Sequence, residues 1–549
     1  MQLNPGCAAV RILGCVDANV APTLRAPMTR PDPVRLEICH HLLAAMCEEA
    51  GLLLQQSAVS PNIRERRDFS IAVFDRNGRL VAQAAHIPVH LGSAADAIAA
   101  ARSAIDFAPG DVAVLNDPYE GGTHLPDVTM VVPVFAKGQR EPDWFLSGRA
   151  HHADIGGATP GSMGIARDLY GEGLVIPPVL WKHRGRRNAD VARLLLANVR
   201  GSAERELDFA AQESSLLRLA ERLLALQQDW GRAELHRYAA HLMDYAEKEG
   251  RAALRRLARG TFHSHDALED DGMGNGPFAI DLRLRSSARG LQFDFSHSSA
   301  QAQGGVNANR SVVLAACAYA VRCLCPERLP TNDGLFRLFT VVTKKGSVVD
   351  PIKPAPVAGG NVETSQRLVD VCLAAIGKAW KGRMPACSAG TMSNLSMGGL
   401  RRDGSEFTFY ETLPGGAGAG PLRSGRSAVQ THMTNTRNTP VEEMEHRYPV
   451  RIRSLTVRRG SGGAGARRGG DGIEKQVETL VPASVTFLGE RQLGGPPGAD
   501  GGREGATGSI EVETKGGARR RLPSKGTSQL CAGEVVVVRT PGGGGHGRG

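Results

Sequence analysis

His124 and Asp127 stand three residues apart at the end of a loop, Leu115-Asn116-Asp117-Pro118-Tyr119-Glu120-Gly121-Gly122-Thr123-His124-Leu125-Pro126-Asp127. A second dense set follows at Arg149-Ala150-His151-His152-Ala153-Asp154-Ile155-Gly156-Gly157. Imidazole nitrogen together with carboxylate oxygen is a ligand set for divalent Zn, Mn or Fe. His124 and Asp127 can reach one ion if their loop turns back, and His151 or His152 can supply a third ligand. Neighbours on an extended segment point to opposite faces, so only one of these two histidines can face the site. Asp154 shares the side of His152. Glu65 lies in a charged run, Ser60 to Ser70, that by itself reads as surface. His86 and His90 could line the same cleft.

Three later segments carry Gly, Asn and carboxylates beyond what turns require. They are Gly359 to Thr364, with Asn361 and Glu363; Tyr410 to Ala419, with Glu411; and Asn435 to Glu445, with Asn435 and Asn438. Glycine lets backbone amides approach a ligand closely, and exposed amides suit anions.

These residues need elements to hold them. Apolar residues from Leu36 to Leu54 recur at three- and four-residue steps and predict a helix from Pro33 to the Gln55–Ser60 region. Phe69 to Phe74 and Leu80 to Gln83 read as strands about an Asn77-Gly78 turn. A small-residue helix, 93–105, precedes the strand 111–115 that feeds the His124 loop. Residue Val128 then opens a strand to Phe135. Residues 188–258 read as helical, and the strand segments 278–295 and 339–342 flank an apolar helix, 311–325. Another helix spans 368–380. From about 450, short Val, Ile and Thr runs alternate with Gly clusters. The fold class is therefore α+β (mixed α/β) and multi-domain, with a β-rich, Gly-rich C-terminal domain. The expected division is a disordered extension over 1–27, an α+β metal-site domain over 28–265, a central α/β domain over 266–450 and the β-rich domain over 451–549. Met28 reads as the natural start of the folded part. The terminal Gly542 to Gly547 run reads as a flexible tail, since no helix follows it to form a phosphate loop.

Composition narrows the class. The chain has 549 residues, 41% hydrophobic and 22% charged, which suits several folded cores and not a disordered protein. Its net charge of +10 is scattered, with no basic stripe interleaved with aromatics and no nucleic-acid motif, so it reads as a solvated Arg-rich surface. No apolar run approaches the ~18 residues of a membrane span, and the first 27 residues lack a signal peptide's pattern. Ten cysteines are dispersed, and Cys323-Leu324-Cys325 lacks redox or zinc spacing, which fits a reducing, cytoplasmic compartment. No GxxxxGK[ST] run and no strand-GxGxxG-helix unit occurs. If ATP takes part, another chain carries it.

Taken together, Ser60 to Ser70, Asp117 to Asp127, His151 to Gly157, Asn361 to Thr364, Tyr410 to Ala419 and Asn435 to Glu445 resemble the hydantoinase B/oxoprolinase family, over nearly the whole chain. The resemblance implies the B subunit of an ATP-dependent cyclic-amide hydrolase that opens a hydantoin or lactam ring. A hydantoinase A-type partner would bind ATP and phosphorylate the resonance-stabilised carbonyl oxygen. It implies His124 and Asp127 as metal ligands with His151 or His152 as the third. Glu65 becomes a group that supports the metal ligands or accepts a proton, and Asp117 joins the catalytic set. Asn361, Glu363, Glu411, Asn435 and Asn438 become substrate or intermediate contacts. Two other readings share the residues: the metal subunit of an ATP-dependent ketone carboxylase, and a non-catalytic scaffold with a structural metal. The chain departs from the family pattern after Asn198-Val199-Arg200 and at His297, where glycine is common; both bear on the substrate.

Overall fold

The computed structural model describes residues 31–84 and 86–549. The expected extension and its Met28 boundary lie outside them. Folding begins with the helix Pro33–Ser57, whose first turn is capped by the Asp32 side chain accepting from the Val34 amide. Its stripe of Cys39, Leu43, Met46, Cys47, Ala50 and Leu54 is buried.

That stripe packs on a seven-stranded antiparallel sheet. At the sheet's centre lie Phe69–Asp75, Trp144–His151, Asp127–Val134 and Val112–Leu115, in that spatial order. The helices Ser202–Trp230 and Arg232–Leu254 share the face of the first helix. Ala94–Ala104 covers the other face through Ala97, Ile98 and Ala101. With both faces covered, Asp127–Val134 and Trp144–His151 are buried along their entire length. That explains the nearly continuous apolar run of Asp127–Val134, which a one-sided antiparallel strand would not show.

A second sheet joins Gly260–Leu268, Phe278–Ser287, Gly290–Asp294 and Phe339–Val342. The alternation along Phe278–Ser287 leaves one face wet and sets the other against the helices Arg310–Arg322 and Ser365–Ala379. Two further sheets share one core built from Leu395, Phe409, Val477, Ile510 and Val536. The structure is thus mixed α/β with several cores, as the sequence indicates. The expected boundaries at 265 and 450 each cut a sheet. Gly260–Leu268 pairs with Phe278–Ser287, and Asn394–Leu400 pairs with Ala483–Leu488.

The eight cysteines among the described residues are free. Among those residues no helix is long and apolar enough to cross a membrane.

The C-terminal glycines correct the expectation of a flexible tail. Gly542, Gly543, Gly544 and Gly545 are buried, and their amides donate to carbonyls in three separate segments: Ala506 and Arg503 in one, Gly470 in another and Cys387 in the third, at 2.8–3.1 Å. The carbonyls of Gly543 and Gly544 accept from Gly463 and Ala419, both at 2.9 Å. The run is the axis of a backbone mesh with Gly-rich neighbours packed on every side. Glycine is required there by close approach: a Cβ on Gly544 would lie 2.1 Å from the Pro497 carbonyl oxygen. Gly494, by contrast, has open space around it. Gly544→Ala should therefore lower stability by about 1–3 kcal/mol or more, read as a drop in Tm, while Gly494→Ala melts with the wild type. Equal melting of the two variants would contradict the mesh.

Candidate metal centre

The site sits at one end of the seven-stranded sheet, and strand register builds it. Asp127 opens its strand directly opposite His151, which closes the neighbouring one. His151 donates its amide to the Asp68 carbonyl at 2.9 Å, since Phe69–Asp75 pairs on its other side. Asp68, His151 and Asp127 are therefore adjacent although 83 positions apart in sequence at the extremes of 68 and 151. A tight turn, with the Asp127 amide on the His124 carbonyl at 3.1 Å, folds His124 back onto the same carboxylate.

The loop that presents His124 is clamped from outside. The Asn309 side chain donates to the carbonyls of Pro118, Gly122 and Thr123 at 2.9–3.1 Å. Asn116 donates to the Leu125 carbonyl at 2.8 Å and accepts from the Ile176 amide at 2.6 Å. Buried Arg149 donates to the Gly121 carbonyl at 2.8 Å. Gly122 is forced by proximity, since a Cβ there would meet the Asn116 carbonyl oxygen at 2.2 Å.

Inside the site, Asp127 is 1% exposed and faces three imidazoles. Its Oδ2 lies 3.1 Å from His124 Nδ1 and 3.1 Å from His90 Nε2, and accepts from Thr123 Oγ1 at 2.5 Å. Its Oδ1 lies 3.3 Å from His151 Nδ1. With Nε2 protonated towards Asp127, His90 Nδ1 accepts from Ser70 Oγ at 2.9 Å. Burial opposes the Asp127 charge, yet His124 and His90 hold its carboxyl well below the usual range. Burial pushes His151 down, towards the neutral form. The donor atoms of His124, Asp127 and His151 all lie within 4.8 Å of one another. Both His124 nitrogens, Asp127 Oδ1 and His151 Nε2 are buried without a hydrogen-bond partner. Buried polar atoms are rarely left so, and a neutral imidazole pair with a carboxylate is the donor set a divalent ion takes. The residues fit a metal.

Other expected residues are placed elsewhere. His152 turns away, stacking on Phe209 with centroids 4.4 Å apart and lying 3.2 Å from Gln212 Oε1. Asp154 holds the Gly156 and Gly161 amides and Arg200. Asp117 is taken up by the Tyr119 amide at 2.9 Å and the Lys353 ammonium at 2.5 Å. Glu65 does not line the cavity beside the histidines; burial and the Glu443 charge push its carboxyl up. Glu363 accepts from the Met392 amide and from Asn394, and burial pushes it up to about 8. Glu411 pairs with buried Lys475, and Asn438 donates to the Thr412 carbonyl. Asn435 stands at a separate, outer cavity. Asn361 does reach the inner cavity, on a π-helical turn Gly360–Thr364, with its Oδ1 buried and unpartnered.

Sequence reasoning passed over Asp68 and Tyr410 as site residues. Both line this cavity of about 20 Å³. Tyr410 stacks on His151 at 4.8 Å and donates to Asn394 Oδ1 at 2.8 Å. Fully buried Arg66 covers the Tyr410 ring at 4.9 Å and lies 3.6 Å from the Asp68 carboxylate. The turn bearing Asn361 is itself anchored by buried Glu172, which accepts from the Val357 and Ala358 amides at 3.0 and 2.8 Å.

His124→Ala and His151→Ala are expected to remain folded and to lose bound divalent metal, measured by elemental analysis after dialysis. His152→Ala should keep the metal and melt lower, because it loses the Phe209 stack. Glu172 gives a pH test. Burial pushes its carboxyl up to about 8 from the model-compound 4.5, so the folded state holds more protons than the unfolded state between those values. Its contribution makes stability fall as pH rises through that window, by up to ~1.4 kcal/mol per pH unit. Glu172→Gln should flatten the slope; denaturant melts at pH 5 to 8 with an unchanged slope would refute this.

The profile of the hydantoinase B/oxoprolinase family matches residues 32–549. An uncharacterized protein of Methanocaldococcus jannaschii is 36% identical over 94% of this chain and 91% of its own length. The 5-oxoprolinase 1 of Arabidopsis thaliana is 35% identical over 99% of this chain but 44% of its own, so the chain spans under half of that relative. The crystal structure of an ATP-dependent caprolactamase from Pseudomonas jessenii superposes with a TM-score of 0.88 at 27% identity, covering 95% of this chain and 92% of that one. The chain belongs to the hydantoinase B/oxoprolinase family.

Proposed function

We propose that this chain is the B subunit of an ATP-dependent cyclic-amide hydrolase, opening a hydantoin or lactam ring that an A-type partner has phosphorylated on its carbonyl oxygen. The observation that carries this reading is the buried His124–Asp127–His151 set, with unpartnered donor atoms, in a chain without a nucleotide-binding motif. The relatives support it. The Arabidopsis 5-oxoprolinase 1 is more than twice as long as this chain, and the caprolactamase is named as ATP-dependent. A share of the work assigned to another polypeptide fits both.

A divalent ion held by His124, Asp127 and His151 supplies Lewis acidity towards water or a carbonyl oxygen. The chain's own residues do the rest. His90 and Thr123 fix the Asp127 carboxylate through Oδ2 and leave Oδ1 facing His151. Asp68, beside His151 and oriented by Arg66, is the carboxylate placed to take a proton from water adding to the activated carbon. Both protons of that water end on the ring nitrogen as the C–N bond breaks, one by way of Asp68 and one from the hydroxyl of the adduct, whose oxygen becomes the carbonyl of an acyl phosphate. The acyl phosphate left behind is hydrolysed to carboxylate and phosphate. Asn361, with a free carbonyl oxygen in the cavity, orients the water. Tyr410 and Val362 close the cavity against bulk water.

The test is reconstitution with the A-type partner, ATP and Mn, Zn or Mg against a lactam series. Ring-opened product is expected only with both chains present; ATP hydrolysis by this chain alone would overturn the division of labour. Carboxylated product from acetone and bicarbonate, without lactam cleavage, would replace the hydrolase with a ketone carboxylase. Within the reconstituted enzyme, Asp68→Asn should keep its metal and lose ring opening by 10²-fold or more, whereas Glu65→Gln keeps most of it. The reverse ranking would return the proton-acceptor role to Glu65.

A further inference from the structure

Beside the inner cavity lies a second one of about 460 Å³, lined by Glu48, Arg67, His86, Asn435 and Arg437 among others. The two share their walls. Arg67 and Asp68, His86 and Ile87, and Asn435 and Thr434 are chain neighbours that line the outer and inner cavities respectively. The inner cavity, at about 20 Å³, holds an ion or a water and no lactam ring. The outer one has room for a ring and its substituents.

Charge in the outer cavity is unevenly satisfied. Glu49 pairs with Arg222 at 3.3 Å, and Glu48 lies 3.9 Å from His86 Nε2. Arg67 and Arg437 are exposed, and among the described residues neither guanidinium has an ion-pair partner within 4.0 Å. Their backbones are tied together, the Arg437 amide donating to the Arg66 carbonyl at 3.0 Å, so both side chains rise from one fixed point. Arg67 also has a left-handed backbone, with φ of 56°. Glycine takes that conformation freely, and a residue with a Cβ, such as arginine, does so at a cost. The strain has a consequence: it sends Arg66 inward onto Tyr410, Arg67 outward and Asp68 inward again. A strained position that carries an unpaired cation at a cavity mouth marks a functional demand.

We propose that Arg67 and Arg437 form an anion site in the outer cavity, which takes the phosphoryl group of the activated cyclic amide and holds its ring carbon towards Asp68 and the metal ligands. Two forked guanidiniums suit a doubly charged tetrahedral oxyanion better than a single carboxylate, which one arginine satisfies. Asn435 and His86, which burial holds neutral, share the lining with Glu48 and with Glu49, whose charge Arg222 answers. This rests on the proposed hydrolase reading for its substrate, but the site itself is a property of this chain alone.

The experiment titrates the full-length chain with inorganic phosphate at constant ionic strength, followed by calorimetry, with acetate and chloride as comparison anions. Wild type is expected to bind phosphate saturably and more tightly than acetate. The double variant Arg67→Gly, Arg437→Gln should bind it at least about tenfold more weakly. Arg67→Gly relieves the left-handed strain, so this variant should melt no lower than wild type, and weakened binding then reports the site and not the fold. Undiminished phosphate binding by the variant, or equal binding of phosphate and chloride by wild type, overturns the proposal. A second arm uses the reconstituted enzyme. There the variant should still support ATP turnover by the partner while ring-opened product falls. Free phosphate should inhibit wild type and spare the variant, which separates phosphate as product from the phosphorylated substrate. Absence of ring opening by wild type would sink the hydrolase reading and leave the phosphate titration standing. Full ring opening by the variant would sink the anion site and leave the hydrolase reading standing.

Discussion

Burying a carboxylate is expensive unless the charge is answered, and the Asp127 side chain sets that condition for everything around it. It is 1% exposed, at the end of a strand that the sheet covers on both faces. Answering it takes Thr123 and His124 from the preceding loop, His151 from the neighbouring strand and His90 from a short helical turn. Three separate parts of the chain thus converge because one negative charge sits in a dry place. The loop must then be rigid, which is why Asn309, Asn116 and Arg149 each donate to its backbone carbonyls. Even so, atoms on His124, Asp127 and His151 remain unpaired. The protein's own groups leave these atoms as a donor set of the kind a divalent cation takes.

A second constraint holds the far side of the cavity. Tyr410 and Thr412 come from a strand whose sheet also contains Ala483–Leu488 and Lys525–Leu530, so the C-terminal part of the chain reaches the metal site through them. Buried Arg66 links the two halves, donating to the Tyr410 carbonyl and to Thr412 across 344 and 346 positions. Arg66 is not replaceable by lysine on this geometry, because a single ammonium cannot serve Tyr410, Thr412 and Asp68 from one planar fork. Beyond it, the glycine mesh locks Gly416–Gly418 to Gly470 and Gly543. The last residues of the chain therefore support the strand that carries Tyr410.

What could be read from the sequence follows the range of the contacts. His124 and Asp127 were legible because an i, i+3 pair on a Gly-Pro loop is a local signal. The opposite facing of His151 and His152 was legible from strand alternation, though which one faces the site was not, since that depends on the register with Asp127. Asp68 was not legible: its place comes from pairing with residues 82 or so positions away, while Glu65, three residues earlier in the same charged run, looks identical in one dimension. Glu363, Glu411 and Asn438 show the same ambiguity from the other side. A carboxylate or amide that satisfies buried backbone amides and one that touches substrate need the same residue types beside the same glycines. The terminal glycines misled for a related reason. Their order comes wholly from backbone hydrogen bonds to segments some 40 to 160 positions away, and a residue without a side chain leaves no pattern to read.

The two cavities suggest why the strain at Arg67 is kept. An inner space of about 20 Å³ excludes water well but admits no ring, whereas an outer space of about 460 Å³ admits a ring but is wet. A reactive phosphorylated amide needs both properties at once: room to arrive from another active site, and a dry place where its carbon meets water only beside Asp68. Side chains that alternate across one thin wall supply both without a moving lid. The left-handed turn at Arg67 is what makes that alternation possible, because it lets Arg66, Arg67 and Asp68 face Tyr410, the outer cavity and the inner cavity in succession. A glycine at 67 would keep the path of the backbone at lower cost and lose the charge, which is the property the proposed anion site requires.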